Sequence, residues 1–246
     1  MLVLAACTGG APSAGQAPRE WDATVVATYP HDRDAFTQGL EIHDGHLYES
    51  TGGYGTSWIS VSDVETGTVS RRSRLPGDWF GEGLTVTGAG IWQLTWRNHI
   101  AVLRDRSSLE VRRQVEVDGE GWGICHQESA DRLVMSDGSA ELTLRDPVTF
   151  AETGSVTVTV GGDRLDRLNE LECGDGHVWA NVFERDHIVR IDLHTGRVTD
   201  LVHIGQRHSR GVLNGIAAIP GSDDLLVTGK NWPSLYRIKP RPGSPR

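Results

Sequence analysis

Five short stretches of the chain share a position that could hold reactive groups. They read QGLEI from Gln38, EGLTV from Glu82, WGICH from Trp122, NELEC from Asn169 and NGIAA from Asn214. The spacings are 44, 40, 47 and 45 residues, and four of the five leading residues are polar or charged. Glu82 is the only carboxylate among the five. A carboxylate walled by aromatic rings has its pKa raised by desolvation, which suits it to carry a proton near neutral pH. Lys230, in VTGK, is placed to balance that charge or polarise a carbonyl. Gln38 and Asn169 could hydrogen-bond a polar substrate and hold it in orientation. The alternative for Glu82 is a structural pair with Lys230; for any single Asn or Gln it is ordinary polarity at a wet channel mouth.

The five stretches belong to a weak internal repeat. About ten residues after each comes a second strand: LYESTG, IWQLTW, LVMSDG, VWANVF and LLVTGK. Third strands follow (WISVSD, IAVLRD, ELTLRD, IVRIDL, LYRIKP), and four copies add a fourth. The last copy runs out near Pro240, while DATVVATYP, residues 22–30, is an unassigned strand before the first copy. Four-stranded units of this length describe propeller blades. The expected fold is therefore all-β: a five-bladed β-propeller whose N-terminal strand completes the last blade and removes an open edge. A pair of β-sandwiches explains neither the five copies nor the leftover strand. In a propeller the first strand of each unit lines the central channel, so the five leading residues form a ring at one end of it.

Aromatic residues supply the wall. Trp accounts for 8 of the chain's 16 aromatic residues. Trp96 ends the second strand of the second copy, Phe183 holds the matching place in the fourth and Lys230 in the fifth. Phe36 and Phe80 each precede a ring residue by two positions. With Trp122 these make an apolar wall around a few convergent polar groups, the usual form of a small-molecule site. Trp58, Trp92 and Trp179 alternate differently and are assigned to packing between copies.

Composition excludes several classes. The 246-residue chain carries a formal charge of −9, with no basic stripe for nucleic acid. No run approaches the roughly 18 apolar residues of a membrane span. No GxSxG elbow, HExxH or paired CxxC occurs. The ten histidines are scattered, several of them in turns; His31, in YPHD, is the one of interest. The opening MLVLAAC, with a Gly/Ala/Pro/Ser-rich stretch after Cys7, looks like the end of a lipoprotein signal. The expected organisation is a leader and linker over residues 1–20, one propeller domain over 21–240 and a tail over 241–246. The protein is expected to be exported, with a lipid anchor at Cys7 as an option. Cys125 and Cys173 stand at odd and even offsets of related strands, which point to opposite faces. No disulfide between them is expected, and both read as small buried hydrophobes.

Eight motifs, in order, carry a family resemblance: YPHDRDAFTQGL, ESTGGYGTS, FGEGLT, GWG, LNELE, WANV, VLNGIA and VTGKNWPSLYRI. Together they resemble the plant- and bacterial-type glutaminyl-peptide cyclotransferases from residue 29 to 238. The resemblance implies a five-bladed propeller that converts an N-terminal glutamine of a peptide into pyroglutamate and releases ammonia, with no metal or cofactor. It implies that Glu82 shuttles a proton from the α-amine to the leaving ammonia. Lys230 and Asn169 would assist at the amide, and Phe36, Gln38, Trp96, Trp122, Phe183 and Asn214 would bind substrate. The partners implied are peptides or proteins with N-terminal glutamine, met by a monomer. Two departures stand out: the family usually has Trp in place of Phe183, and often an acidic residue in place of Gly211. Two other readings compete. One is a propeller lactonase holding Ca²⁺ on oxygens of Glu82, Asn169 and Asn214; the other is a non-catalytic binding propeller.

Overall fold

The computed structural model describes residues 15–174, 176–206, 208 and 211–242; the Cys7 motif lies outside them. The described chain is all-β apart from one 3₁₀ turn. Strand β1 (Arg19–Pro30) comes first. Three separate antiparallel meanders follow: β2 to β5 (Thr37–His43, His46–Thr51, Trp58–Ser62, Val69–Arg74), β6 to β9 (Gly81–Thr87, Gly90–Thr95, Ile100–Arg104, Val111–Glu116) and β10 to β13 (Ile124–Gln127, Arg132–Ser136, Glu141–Arg145, Glu152–Thr157). A two-residue hairpin, β14 (Thr159–Val160) and β15 (Asp163–Arg164), leads to a fourth meander, β16 to β19 (Leu168–Gly174, His177–Val182, His187–Asp192, Arg197–His203). The chain ends on β20 (Leu213–Ala218), β21 (Leu225–Gly229) and β22 (Ser234–Pro242).

Strand β1 lies antiparallel to β22, with Tyr29 opposite Leu235, and so adds a fourth strand to the C-terminal three. Its other edge runs parallel to β19, joining the last two units into one large sheet. Asp200 on β19 anchors this junction by accepting hydrogen bonds from Trp21 Nε1 at 2.8 Å and from the Arg19 guanidinium. The first strands touch in sequence, β2 with β6, β6 with β10, β10 with β16 and β16 with β20, and β20 returns to β2. Apolar clusters fill the spaces between successive sheets: Tyr48, Ile59 and Val61 with Leu84, Val86 and Ile91, for example. The arrangement is propeller-like.

Local irregularity aims the ring residues. Register slips by one residue in four of the five first strands, between Thr37 and Gly39, Gly81 and Leu84, Leu168 and Leu171, and Leu213 and Ile216. Gln38, Glu82, Asn169 and Asn214 thus sit in β-bulges, which re-aim side chains out of simple alternation. The next position is Gly39, Gly83, Gly123 or Gly215 in four strands. A Cβ on Gly83 would fall 2.7 Å from the Trp122 carbonyl oxygen, and one on Gly123 2.1 Å from that of Asn169. Only glycine permits first strands this close.

The fifth such position is Glu170. Its carboxylate accepts the backbone N–H of Leu40 at 3.2 Å and of Ile216 at 2.8 Å. Glu41 accepts from Val86 N–H and Thr85 Oγ1, and Glu172 from Ala218 N–H. The channel-facing edge of each first strand has no neighbouring strand in a ladder, and these carboxylates satisfy its donors. Burial pushes Glu41 up to about 7, and raises Glu170 and Glu172 well above the usual range. The nearby carboxylates add to this, Glu172 acting on Glu170 and Glu41 on Glu172. Periodicity gave no sign of these three groups.

Cys125 and Cys173 form a disulfide with a Cα–Cα distance of 5.4 Å, against expectation. Equivalent strands of successive units stack face to face, so the face of β10 toward β16 meets the opposite face of β16. Opposite parity is therefore what brings the two sulfurs together. The bond closes a separation of 48 residues and ties two sheets directly, a constraint typically worth about 2–4 kcal/mol.

His31 is buried beneath the start of β2. Its Nδ1 lies 2.7 Å from the Trp232 carbonyl oxygen and its Nε2 3.0 Å from Glu49 Oε1. Both nitrogens face acceptors, so the ring is held as an imidazolium. Burial works against the charge, but Glu49, by charge and hydrogen bond, and the Trp232 carbonyl leave the pKa raised.

These groups set the pH dependence of stability. Glu41 keeps its proton to about 7 in the fold but loses it near 4.5 when unfolded, so its contribution falls across that window. The raised pKa of His31 gives stability that is complete below 6.5 and is lost as pH rises through the folded value. His187, lowered by burial, works the other way. Denaturant midpoints should therefore decline from about pH 5 to about pH 8. A rise across that range would contradict the assignment.

Candidate active site

A cavity of about 310 Å³ opens at one end of the channel. It is lined by Phe36, Gln38, Phe80, Glu82, Trp96, Trp122, Asn169, Phe183 and Lys230. Phe36 and Phe80 precede β2 and β6, the ring residues lie at first-strand bulges, and Trp96, Phe183 and Lys230 follow the last residues of second strands. A first strand's entry and the next strand's exit lie at the same end of a meander. The Trp96 N–H bond to the Phe80 carbonyl, 3.0 Å, is one instance. Eight of the nine catalytic and substrate-binding residues expected from sequence thus share one cavity with Phe80, the other expected wall residue.

Asn214 is the ninth. It is fully buried but not part of the cavity lining. Its Nδ2 donates to the Thr37 carbonyl at 2.9 Å and to Gln38 Oε1 at 3.1 Å. Gln38 Nε2 in turn donates to Glu82 Oε1 at 2.7 Å. The Asn214 contact decides which end of the Gln38 amide faces the carboxylate. Asn214 Oδ1, like that of Asn169, is buried with no hydrogen-bond partner among the described residues. His31 also lies outside the cavity.

Glu82 is 4% exposed. Burial raises its pKa well above the usual range; Lys230 opposes this, Glu120 adds to it and the Gln38 hydrogen bond lowers it. Lys230 is held down by burial, with Glu82 working to raise it. The two share the cavity without a close ion pair among the described residues. The Lys230 ammonium instead lies 4.8 Å from the ring centre of Phe36 and 5.0 Å from that of Phe183, between two aromatic faces. Asn169 Oδ1 is buried with no protein donor, an acceptor free for a substrate N–H. The site therefore pairs a proton carrier of elevated pKa with a cation and an amide acceptor inside an apolar box.

Glu120 organises that box and was not singled out from sequence. Its Oε2 accepts both indole N–H groups, Trp96 at 2.7 Å and Trp122 at 2.9 Å. Its Oε1 accepts Arg97 Nε at 2.8 Å, and the Arg97 guanidinium lies 3.8 Å above the Trp96 ring. Burial works to raise the Glu120 pKa, but the Trp122, Arg97 and Trp96 hydrogen bonds hold it below the usual range. One ionised carboxylate thus fixes two walls. Phe80 packs against Trp96 at 5.5 Å and edge-on to Phe36 at 6.0 Å, and Phe183 meets Trp122 edge-on at 5.8 Å. Gly138 leaves room for Trp122, whose ring would lie 2.8 Å from a Cβ there. Gly211, the other departure from the family pattern, has φ +70° and abuts the Lys230 carbonyl, where a Cβ would fall at 1.6 Å.

Comparison with known proteins shows the family. Residues 1–240 match the family model described as glutamine cyclotransferase. The chain is 39% identical over 228 residues to the glutaminyl-peptide cyclotransferase of Arabidopsis thaliana, covering 87% of this chain and 70% of the relative. The crystal structure of Myxococcus xanthus glutaminyl cyclase superposes with a TM-score of 0.83 at 34% identity, covering 91% of this chain and 98% of that one. At the level of fold alone, the β-propeller domain of Myceliophteria thermophila Cps50 (Swd1) aligns with a TM-score of 0.51 at 10% identity, over 88% of this chain and 99% of that domain. With the family model matching nearly the whole chain and a curated relative at 39% identity, this chain belongs to the glutamine cyclotransferase family.

Proposed function

We propose that the protein cyclises N-terminal glutamine of peptides in the cavity at Glu82, as a metal-independent acyltransferase. The observation that carries this reading is the buried carboxylate of Glu82, hydrogen-bonded to Gln38 and facing Lys230 across an aromatic box. The glutamine side chain folds back so that the neutral α-amine attacks its own amide carbon. Because the attack is intramolecular, holding that folded shape supplies much of the rate. The new N–C bond leaves a proton on the attacking nitrogen and negative charge on the amide oxygen. Lys230 stabilises that oxygen. The Glu82 carboxylate takes the proton from the ring nitrogen and gives it to the departing nitrogen, so ammonia leaves and Glu82 returns to its starting state. Asn169 Oδ1 accepts a substrate N–H, and Phe36, Trp96, Trp122 and Phe183 exclude water from the folded side chain. Asn214 acts through Gln38. A Ca²⁺-dependent hydrolase is not favoured, because the matching family and the similar proteins are glutamine cyclotransferases.

The same reading treats the four complete meanders and the C-terminal three strands plus β1 as five blades of one domain over residues 21–240. The closure of first strands from β20 back to β2 supports this. We further propose export of the protein, with an optional lipid anchor at Cys7, and action as a monomer on exposed N-termini. The Cys125–Cys173 disulfide supports an oxidising compartment.

Incubation with a peptide beginning in glutamine should release ammonia well above the spontaneous rate, and no release would sink the proposal. Glu82→Gln should lower kcat by about 10²–10⁴-fold. It should not lower the thermal melt, since it removes a carboxylate whose burial is unfavourable; a collapse of stability would favour a structural role instead. Glu120→Gln tests the clamp on the walls. The amide keeps an oxygen but loses the charge that holds three donors, so KM should rise more than kcat falls, and the pH dependence of kcat should move to lower pH as Glu82 loses a repelling neighbour. An unchanged KM and pH profile would remove Glu120 from the account.

A further inference from the structure

A second cluster of metal-ligating side chains lies away from the cavity, where β1 joins β19. Asp186, His187 and His203 each offer one ligand atom, and these atoms all lie within 4.8 Å of one another. His187 and His203 stand directly opposite on β18 and β19, with ring centres 5.9 Å apart. Directly paired residues of antiparallel strands project to one face with Cβ atoms about 5 Å apart, so both imidazoles reach the same point. Asp186 immediately precedes β18, and its Oδ1 lies 3.8 Å from His187 Nδ1. Glu20, on β1, brings its Oε2 to 3.7 Å from His203 Nε2. That His203 nitrogen is buried with no hydrogen-bond partner, although a neutral or charged imidazole normally uses both nitrogens when buried.

From this arrangement we propose a binding site for a divalent transition cation of the zinc class, held by His187, His203 and Asp186, with Glu20 as the fourth ligand. Two imidazoles with carboxylates suit such an ion, whereas Ca²⁺ and Mg²⁺ take oxygen-only sets. Tetrahedral bonds of about 2.1 Å place ligand atoms about 3.4 Å apart. Side-chain rotation closes the present spread to that value while the strand ladder holds both histidine backbones fixed. The consequence is structural. Glu20 belongs to the strand that completes the C-terminal unit, and the other three ligands belong to the preceding unit. A bound ion would cross-link them at the seam, beside the Asp200 anchor. It would also fix the segment after Phe183, three residues before Asp186 in the chain.

The test uses the full chain stripped with a chelator and titrated with Zn²⁺ by calorimetry, with Ca²⁺ in parallel. One Zn²⁺ should bind per chain, raise the thermal melt and have no Ca²⁺ counterpart. His187→Gln and His203→Asn should each weaken binding by about tenfold or more, and Glu20→Gln should remove most of the rise in the melt. Co²⁺ should give a visible absorption band in the wild type that both histidine variants lose, and chelator-treated melts of the variants confirm that they fold. Absence of stoichiometric Zn²⁺ binding, or binding and a Co²⁺ band that survive both histidine variants, would overturn the proposal.

Discussion

The close approach of the five first strands governs the rest of the molecule. Glycine after four of the five ring residues lets neighbouring backbones meet, as in the 2.7 Å hydrogen bond from Gly83 N–H to the Trp122 carbonyl. That approach leaves no room along the middle of the channel for side chains, except where Glu170 replaces glycine and takes two backbone donors. The bulges that accompany the glycines turn Gln38, Glu82 and Asn169 toward one end. Aromatic residues from the entries and exits of the same strands surround them. The site is thus a by-product of how the centre is packed, and its polar groups rest on rigid strands rather than loops.

Burying Glu82 is unfavourable for the fold, and the neighbours compensate only in part. Gln38 donates one hydrogen bond and Lys230 acts through space, while Glu120 repels. The balance leaves a carboxyl group whose pKa lies well above the usual carboxylate range, a shift in the direction a two-way proton carrier needs. Keeping Lys230 between Phe36 and Phe183 rather than against Glu82 preserves that balance. A close ion pair would lock the carboxylate in its charged form. Glu120 does different work nearby: ionised and half-exposed, it turns two indoles into a fixed wall.

Much of this was legible in sequence because the repeat places equivalent residues at equivalent points. The leading residues of five stretches, the leftover N-terminal strand and the aromatic second-strand ends followed from spacing alone. What failed were inferences that needed knowledge of what stacks on what. Parity of Cys125 and Cys173 pointed against a disulfide until the face-to-face stacking of successive units reversed its meaning. Glu120 was not singled out, since only the fold brings Trp96 and Trp122 to it. Asn214 has the right position but lies outside the cavity, its Nδ2 held by Thr37 and Gln38. Glu41, Glu170 and Glu172 went unremarked because a strand edge that lacks a ladder partner leaves no mark in the sequence.

The central claim is that Glu82 is a buried proton carrier tuned by its box, and its titration tests that most directly. Following the Glu82 side-chain carboxyl by ¹³C NMR, assigned with Glu82→Gln, should give a midpoint well above the ordinary glutamate value of about 4.3. Replacing Lys230 with Met should move it higher still, because the Lys230 charge that holds it down would be gone. A midpoint at or below the ordinary value, unmoved by that replacement, would contradict the account.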